Sequence, residues 1–345
     1  MGRIPAVAAA AAMLGLENVK FYLLIFKNMI PMKTNLFCCW RRASLAGLGL
    51  GLVLPLGLFA ADEQSFDSPN DAVHALVTAA QNNDTNAFHL IFGPVAHELV
   101  SPDVVQATEE FKKFVQRLSE KTELFKHSDS NVVLELGADG WPFPIPLVLQ
   151  GAQWRFDTAA GKAEILARRV GRDEMGAINV CRAYVEAQRE YASQDRMVDG
   201  VLTYARFLRS TTGTHDGLFW PADQPGDLEL SPLGPLIAQA RVEGYHHTAK
   251  MLNDEQAPYH GYYFKILTCQ GKHAPGGKFS YVINGRMLVG FALVAWPAEW
   301  GNTGLMTFVV NQQGKLWQKN LGPKSARLAK AMTVYDPDAT WAAAE

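Results

Sequence analysis

From residue 68 onward apolar residues recur at helical spacing. Ala72, Val73, Leu76, Val77 and Ala80 fall on one face, while Ser68, Pro69 and Asp71 supply a cap, a first-turn proline and an acidic group in the first turn. The pattern predicts a helix there and a short second one from Asp84 through Phe92. A third is opened by Ser101-Pro102 and carried by Val104, Ala107, Phe111, Phe114, Val115 and Leu118. The spacing then shifts to short strand-like runs at Glu123 to His127, Val132 to Leu136, Ile145 to Leu149 and Gln153 to Phe156, divided by glycine-bearing turns. Residues 66–160 are therefore expected to form a small α+β domain, helices plus a curved antiparallel sheet.

The same order repeats over residues 161–335. A helix from about Ala160 to Arg169, a break at Gly171 and a longer helix from Asp173 to about Ser193 are expected. Ala177, Cys181, Tyr184, Ala187 and Tyr191 share one face of the longer helix. A loop follows at Asp195 to Gly200, and Ser231-Pro232 starts another helix through Glu243. Strands are then expected at Tyr262 to Cys269, Phe279 to Ile283, Leu288 to Trp296, Leu305 to Val310 and Lys315 to Gln318, with 311–314 as a hairpin turn. A long helix packed on an antiparallel β-meander is the simplest arrangement, and the fold class is α+β.

Charge changes the picture at the amino terminus. Residues 1–60 hold six of the 32 basic residues and one of the 34 acidic ones, which leaves the remainder at 26 − 33 = −7. A mildly acidic body argues against nucleic-acid binding. From Met32, a basic region with Lys33, Arg41 and Arg42 precedes the uncharged run Ala43 to Phe59 and the small pair Ala60-Ala61. This is the grammar of a signal peptide at 32–60, with cleavage near Ala60, and residues 1–31 read as an upstream extension. The run is shorter than the roughly 20 apolar residues of a spanning helix, so no stable membrane span is expected after processing, an uncleaved anchor being the alternative. Export implies a periplasmic or secreted location. Only Cys181 and Cys269 reach the mature body, and two free thiols are expected.

Several long strings in one order carry a resemblance. "WPFPIPLV", "WRFDTAAGKAEILARRVGRDE", "YVEAQREYASQD", "YHGYYFKILT", "VINGRMLVGFALVAWPAEWGNTGLMTFVVNQQGKLWQKNLGP" and "YDPDATW" resemble the bacterial family known as domain of unknown function 2950 over nearly all of residues 66–341. The resemblance implies an exported bacterial protein and no particular chemistry. The order of the second half is also similar to the globular heads of type IV pilins and pseudopilins, in which a helix spine packs on an antiparallel sheet. Residues 160–175 depart from that pattern, because Arg168, Arg169, Arg172 and Asp173 replace an apolar filament helix. The run "PLVLQGAQWRFDT" is similar to strands of cone-shaped domains of the nuclear transport factor two kind.

Chemistry-bearing motifs are sparse. The nucleophile elbow, the phosphate-binding loop, His-Glu-x-x-His and paired Cys-x-x-Cys do not occur. Asp195 and Asp199 resemble part of a calcium loop, although Met197 and Arg206 stand where further ligands belong, and a solvated turn is the plainer reading. His246-His247 are adjacent, a poor metal geometry. His260 in "YHGYYF" is the candidate general base, with Asp254, Glu255 or Glu299 as possible orienting carboxylates and a structural histidine as the plainer reading. Asn284 and Arg286 are candidates for clamping a carboxylate or glycan hydroxyl, against an Asn-Gly hairpin turn. Trp296 and Trp300 are candidates for stacking on sugars or peptides from one loop. Trp141, Phe143, Trp154 and Phe156 read first as core and second as walls of a ligand pocket.

These observations favour an exported cell-envelope protein acting as a non-enzymatic binding or assembly module, without a cofactor, on an envelope protein, glycan or peptide. The alternatives are an envelope hydrolase using His260 and a small-ligand carrier in the amino-terminal domain.

Overall fold

The computed structural model describes residues 63–221, 230–245 and 258–344. The proposed signal peptide and upstream extension, His246, His247, Asp254 and Glu255 lie outside the described residues.

Local capping explains where the first helices begin. Ser68 accepts from the Asp71 amide at 3.2 Å and opens α1 (Pro69–Gln81); Asp84 accepts from the amides of Asn86 and Ala87 and opens α2 (Thr85–Phe92). A single 3₁₀ stretch (Gly93–Leu99) leads to α3 (Val104–Glu120). The start expected at Ser101-Pro102 falls later. Asp103 is the cap, accepting from Val105 and Gln106, and the Ser101 hydroxyl instead accepts from the Asp103 amide. Strands β1 (Thr122–Ser128), β2 (Asn131–Leu136), β4 (Leu147–Gln150) and β5 (Gln153–Phe156) form an antiparallel sheet in that order, with the two-residue β3 (Trp141–Pro142) also paired to β2. Alternation along β2 sends Val132, Leu134 and Leu136 into a core with Leu76, Ile91 and Leu147. Rings of Phe66, Phe92, Phe143 and Phe156 pack there with centroids 5.4–6.4 Å apart.

Helix α4 (Thr158–Tyr191) runs for 34 residues without the expected break at Gly171. Nothing stands within 4 Å of the position of a Cβ at Gly171, so it lies open on the outer face. Glycine in a helix costs about 1 kcal/mol, and burial of Ala177, Ile178, Val180 and Cys181 in the turns beyond it outweighs that cost. Its length, about 50 Å, carries it from the first core into the second.

The second core is built on the antiparallel order β17 (Ala342–Ala343), β15 (Trp317–Lys319), β14 (Thr307–Asn311), β13 (Ala292–Pro297) and β8 (Tyr262–Leu267). Every residue of β13 and β14 is buried, because α4 and the short α6 (Ser325–Ala331) both pack on these strands. The expected face of α4 is the buried one: Ala177, Cys181, Tyr184, Ala187 and Tyr191 all join this core. Gln188, next to Ala187 and itself buried, clamps Ala205 by exchanging hydrogen bonds with both its amide and its carbonyl at 2.9 Å. Between β8 and β13 lie the two-residue strands β9 (Cys269–Gln270), β10 (Phe279–Ser280), β11 (Val282–Ile283) and β12 (Arg286–Met287); the strand expected at 279–283 is split into β10 and β11, and the one expected at 288–296 starts later, as β13. A Cβ on Gly290 would stand 2.8 Å from the Tyr281 ring, so glycine suits this close approach. The remaining described elements are the parallel pair β6 (Phe207–Arg209) and β7 (Gly217–Phe219), α5 (Gly234–Val242), and β16 (Val334–Tyr335) beside β9. Cys181 and Cys269 are both free. Both cores lie within the compact unit Ala60–Glu345.

Tyr184 tests this packing. It is 1% exposed, meets Phe291 edge-on at 5.5 Å and donates to the Ala292 carbonyl at 3.2 Å. Tyr184→Ala is expected to lower stability by about 3–5 kcal/mol in chemical denaturation, the range for emptying a large aromatic core site; a loss below about 1 kcal/mol would place α4 elsewhere.

Candidate functional site

Two places gather polar chemistry, and the first surrounds His260. Tyr259 and Tyr262 exchange backbone hydrogen bonds at 2.9 and 3.1 Å, closing a two-residue turn in which His260 (φ 49°) and Gly261 (φ 71°) are both left-handed. A glycine tolerates that region, and an imidazole-bearing residue does so only where its surroundings hold it. The surroundings are specific. His260 Nε2 meets Glu243 Oε2 at 2.7 Å, and the ring lies nearly parallel to Tyr245 and against Tyr259. Burial pushes the Glu243 carboxyl up, but hydrogen bonds from His260, Gln239 and Tyr259 outweigh it, and the net shift is downward. Tyr245 donates to Asp103 Oδ2 at 2.8 Å, and the Gly261 amide reaches the same oxygen at 3.3 Å. Burial, then the Asp103 charge, raise the Tyr245 phenol far above its ordinary value, so it stays a donor. One carboxylate thus caps α3 with one oxygen and holds the His260 turn with the other. Chemically, His260 and Glu243 are an imidazole oriented by a carboxylate, and the side chains that meet the imidazole are Glu243, Tyr245 and Tyr259.

The second place is a groove of about 330 Å³ between the sheet and α6. Val309, Leu321, Leu328, Ala331, Met332 and Val334 make it apolar, and Lys319, Asp336 and Trp341 complete its lining. Its polar side comes from the string Tyr335-Asp336-Pro337-Asp338-Ala339-Thr340-Trp341. Asp336 takes the His273 amide at 2.7 Å and the His273 Nδ1 at 3.0 Å. Gly271 permits this approach, since a Cβ there would stand 2.1 Å from the Asp336 carboxyl carbon. Lys319 donates to Thr340 Oγ1 at 2.5 Å and lies 5.8 Å from the centre of the Trp341 ring. An apolar trough with a tryptophan and a short row of charged groups can hold an apolar side chain and orient it by its polar neighbours.

The remaining sequence candidates fall as follows. Asn284 (φ 49°) and Gly285 form the two-residue turn joining β11 to β12. Arg286 pairs with Asp199 at 2.7 Å and keeps 41% of its side chain exposed. Asp195 spends its oxygens on the amides of Asp199 and Gly200, which holds its carboxyl below the usual range. Among the described residues no group of three or more His, Cys, Asp or Glu is placed to hold a metal ion. Trp296 lies in β13, within the strand expected at 288–296, but as a correction to the stacking reading it is 1% exposed and packs on Tyr263. Trp300 is half-buried and donates to Asn320 at 2.9 Å, so the two indoles share no open face. Glu299 bonds Asn302 and Thr303 rather than His260. Sequence reasoning missed Glu243, Asp103, His273 and Asp336. The acidic, proline-bearing string ending at Trp341 was the one available signal for the groove.

The architecture is an α+β body in which one helix serves two antiparallel sheets. The family described as Protein of unknown function (DUF2950) matches residues 63–344, and the chain belongs to it. No curated protein and no solved structure matches the chain.

The His260 turn yields a sharp test. A Cβ on Gly261 would stand 2.6 Å from Asp173 Oδ2 and 2.8 Å from Thr303 Cβ, in a left-handed backbone. Gly261→Ala is therefore expected to cost about 2–4 kcal/mol in denaturant unfolding, whereas Gly301→Ala, also left-handed but with open space around it, should cost about 1 kcal/mol. Equal losses would show that the contact with Asp173 does not matter.

Proposed function

We propose that this protein is an exported, non-enzymatic binding module of the cell envelope, periplasmic or secreted, and that its binding surface is the groove beneath α6. The observation that carries the reading is the groove itself: an open apolar trough flanked by Trp341, Lys319 and the Asp336–His273 pair. Export rests on the basic region and apolar run at 32–60. The long helix on an antiparallel sheet supports a pilin-head-like layout for residues 161–335, without the apolar filament helix. The partner is an envelope protein, glycan or peptide that presents an apolar group to the trough.

The hydrolase reading has one observation in its favour, the 2.7 Å contact between His260 and Glu243. Among the described residues the groups meeting the imidazole are a carboxylate and two phenols held un-ionised by burial, so a hydrolase built from these would use water as its nucleophile.

A photo-crosslinking residue placed at Leu328 in living cells tests the proposal. It should capture one discrete envelope partner, and the yield should fall at least about tenfold on Trp341→Ala, the loss of roughly 1.4 kcal/mol of binding. The same probe at Met175, exposed on α4, should capture nothing, and His260→Ala should leave the Leu328 product unchanged. Recovery of the chain from the cytoplasm with residues 43–59 intact would overturn export; equal capture from Leu328 and Met175 would overturn the groove.

A further inference from the structure

The first core and the second meet on the central turns of α4, and the groups at that meeting are polar and buried. Asp173 lies deepest, at 0% exposure. Its Oδ1 accepts from Gln106 Nε2 at 2.7 Å and from Arg172 Nε at 3.3 Å, while Oδ2 is buried with no hydrogen-bond partner. That oxygen is turned toward Gly261, the residue whose amide donates to Asp103. A charge is thus pressed against the turn that closes the junction.

The groups around it come from every element packed there. Helix α4 contributes Arg169 and Arg172, but Arg172 also pairs with Glu110 at 2.6 Å, and Arg169 donates to Asn302 and to the Leu99 carbonyl. Helix α3 contributes Gln106 and Glu110, with Asp103 at its cap. Strand β8 contributes Tyr262, and the loop after β13 contributes Glu299 and Thr303. The acids Glu110, Asp103 and Glu299 stand against the two arginines, so the surroundings do not neutralise Asp173 outright.

We propose that Asp173 is a proton-operated clasp between α3 and the His260 turn: taking up one proton tightens the junction, and releasing it loosens the junction. The ionised form keeps an unpartnered charged oxygen in a buried site; the protonated form keeps a neutral one, which burial penalises far less. Burial accordingly pushes the Asp173 carboxyl up to about 6, against an ordinary value near 3.8, with Gln106 and Arg172 opposing the shift. The closed junction therefore holds its proton at higher pH than the opened one. Closure is favoured as pH falls through about 6, and the gain is complete below about 4. Between pH 8 and pH 5 the closing equilibrium should change by about tenfold.

Amide hydrogen exchange on the full-length chain, corrected for the intrinsic pH dependence of exchange, reads this directly. Protection at Gly261 and Gln106 should be about tenfold higher at pH 5 than at pH 8, and Asp173→Asn should keep the higher protection at both pH values. Equal protection at the two pH values in the parent, or an undiminished pH dependence in Asp173→Asn, overturns the clasp. Should that variant fail to fold, a carbon-13 titration of the Asp173 carboxyl in the parent decides the matter: a midpoint near 6 supports the proposal, and one below 4.5 overturns it.

Discussion

One uninterrupted helix has to satisfy two cores at once, and its middle cannot be apolar on all sides. Helix α4 starts beside the first sheet, ends beneath Phe291 and Ala292 of the second core, and between them carries Arg169, Arg172, Asp173 and Glu174. Each is given a role across the junction. Arg169 ties the Leu99 carbonyl to Asn302, Arg172 pairs with Glu110, Asp173 takes Gln106, and Glu174 accepts the amides of Leu305 and Met306 at 2.8 and 3.0 Å. Buried charges are tolerated only with such partners. The cores are thus joined by hydrogen bonds of fixed direction rather than by a sliding apolar seam.

The same constraint accounts for the backbone around His260. For Asp103 to cap α3 and also receive Tyr245 and the Gly261 amide, the turn at 260–261 must come within hydrogen-bond distance of the cap. Only a left-handed pair of residues, the second without a Cβ, brings it there past Asp173 and Thr303. His260 is held in the left-handed region by this geometry, and Glu243 and the two tyrosines fix its ring. These contacts fix the turn and the imidazole ring together. The groove beneath α6 is lined mainly by apolar side chains, of which Val309 belongs to the second core and Met332 and Trp341 pack against it.

Much of the scaffold was legible in the chain. Caps at Ser68 and Asp84, the period-two runs of β2 and β5, the apolar face from Ala177 to Tyr191 and the turn at Asn311 to Gly314 are local signals, and each stands where it was expected. Gly171 and Trp296 misled for one reason. Propensity and neighbouring residues favoured a break and an exposed indole, and burial in the second core favoured a continuous helix and a packed indole.

By itself the sequence determined the α+β class, the helix faces and the family, because those depend on residues a few positions apart. It could not determine which carboxylates matter. Gln106 meets Asp173 across 67 positions, Tyr245 meets Asp103 across 142, and Gly261 meets Asp103 across 158. Likewise His273 and Asp336 come together across 63 positions only because β9 and β16 pair in parallel. Hydrogen bonds act over about 3 Å and carry no trace along the chain, so partners this far apart in sequence are chosen by how the helix and sheets pack.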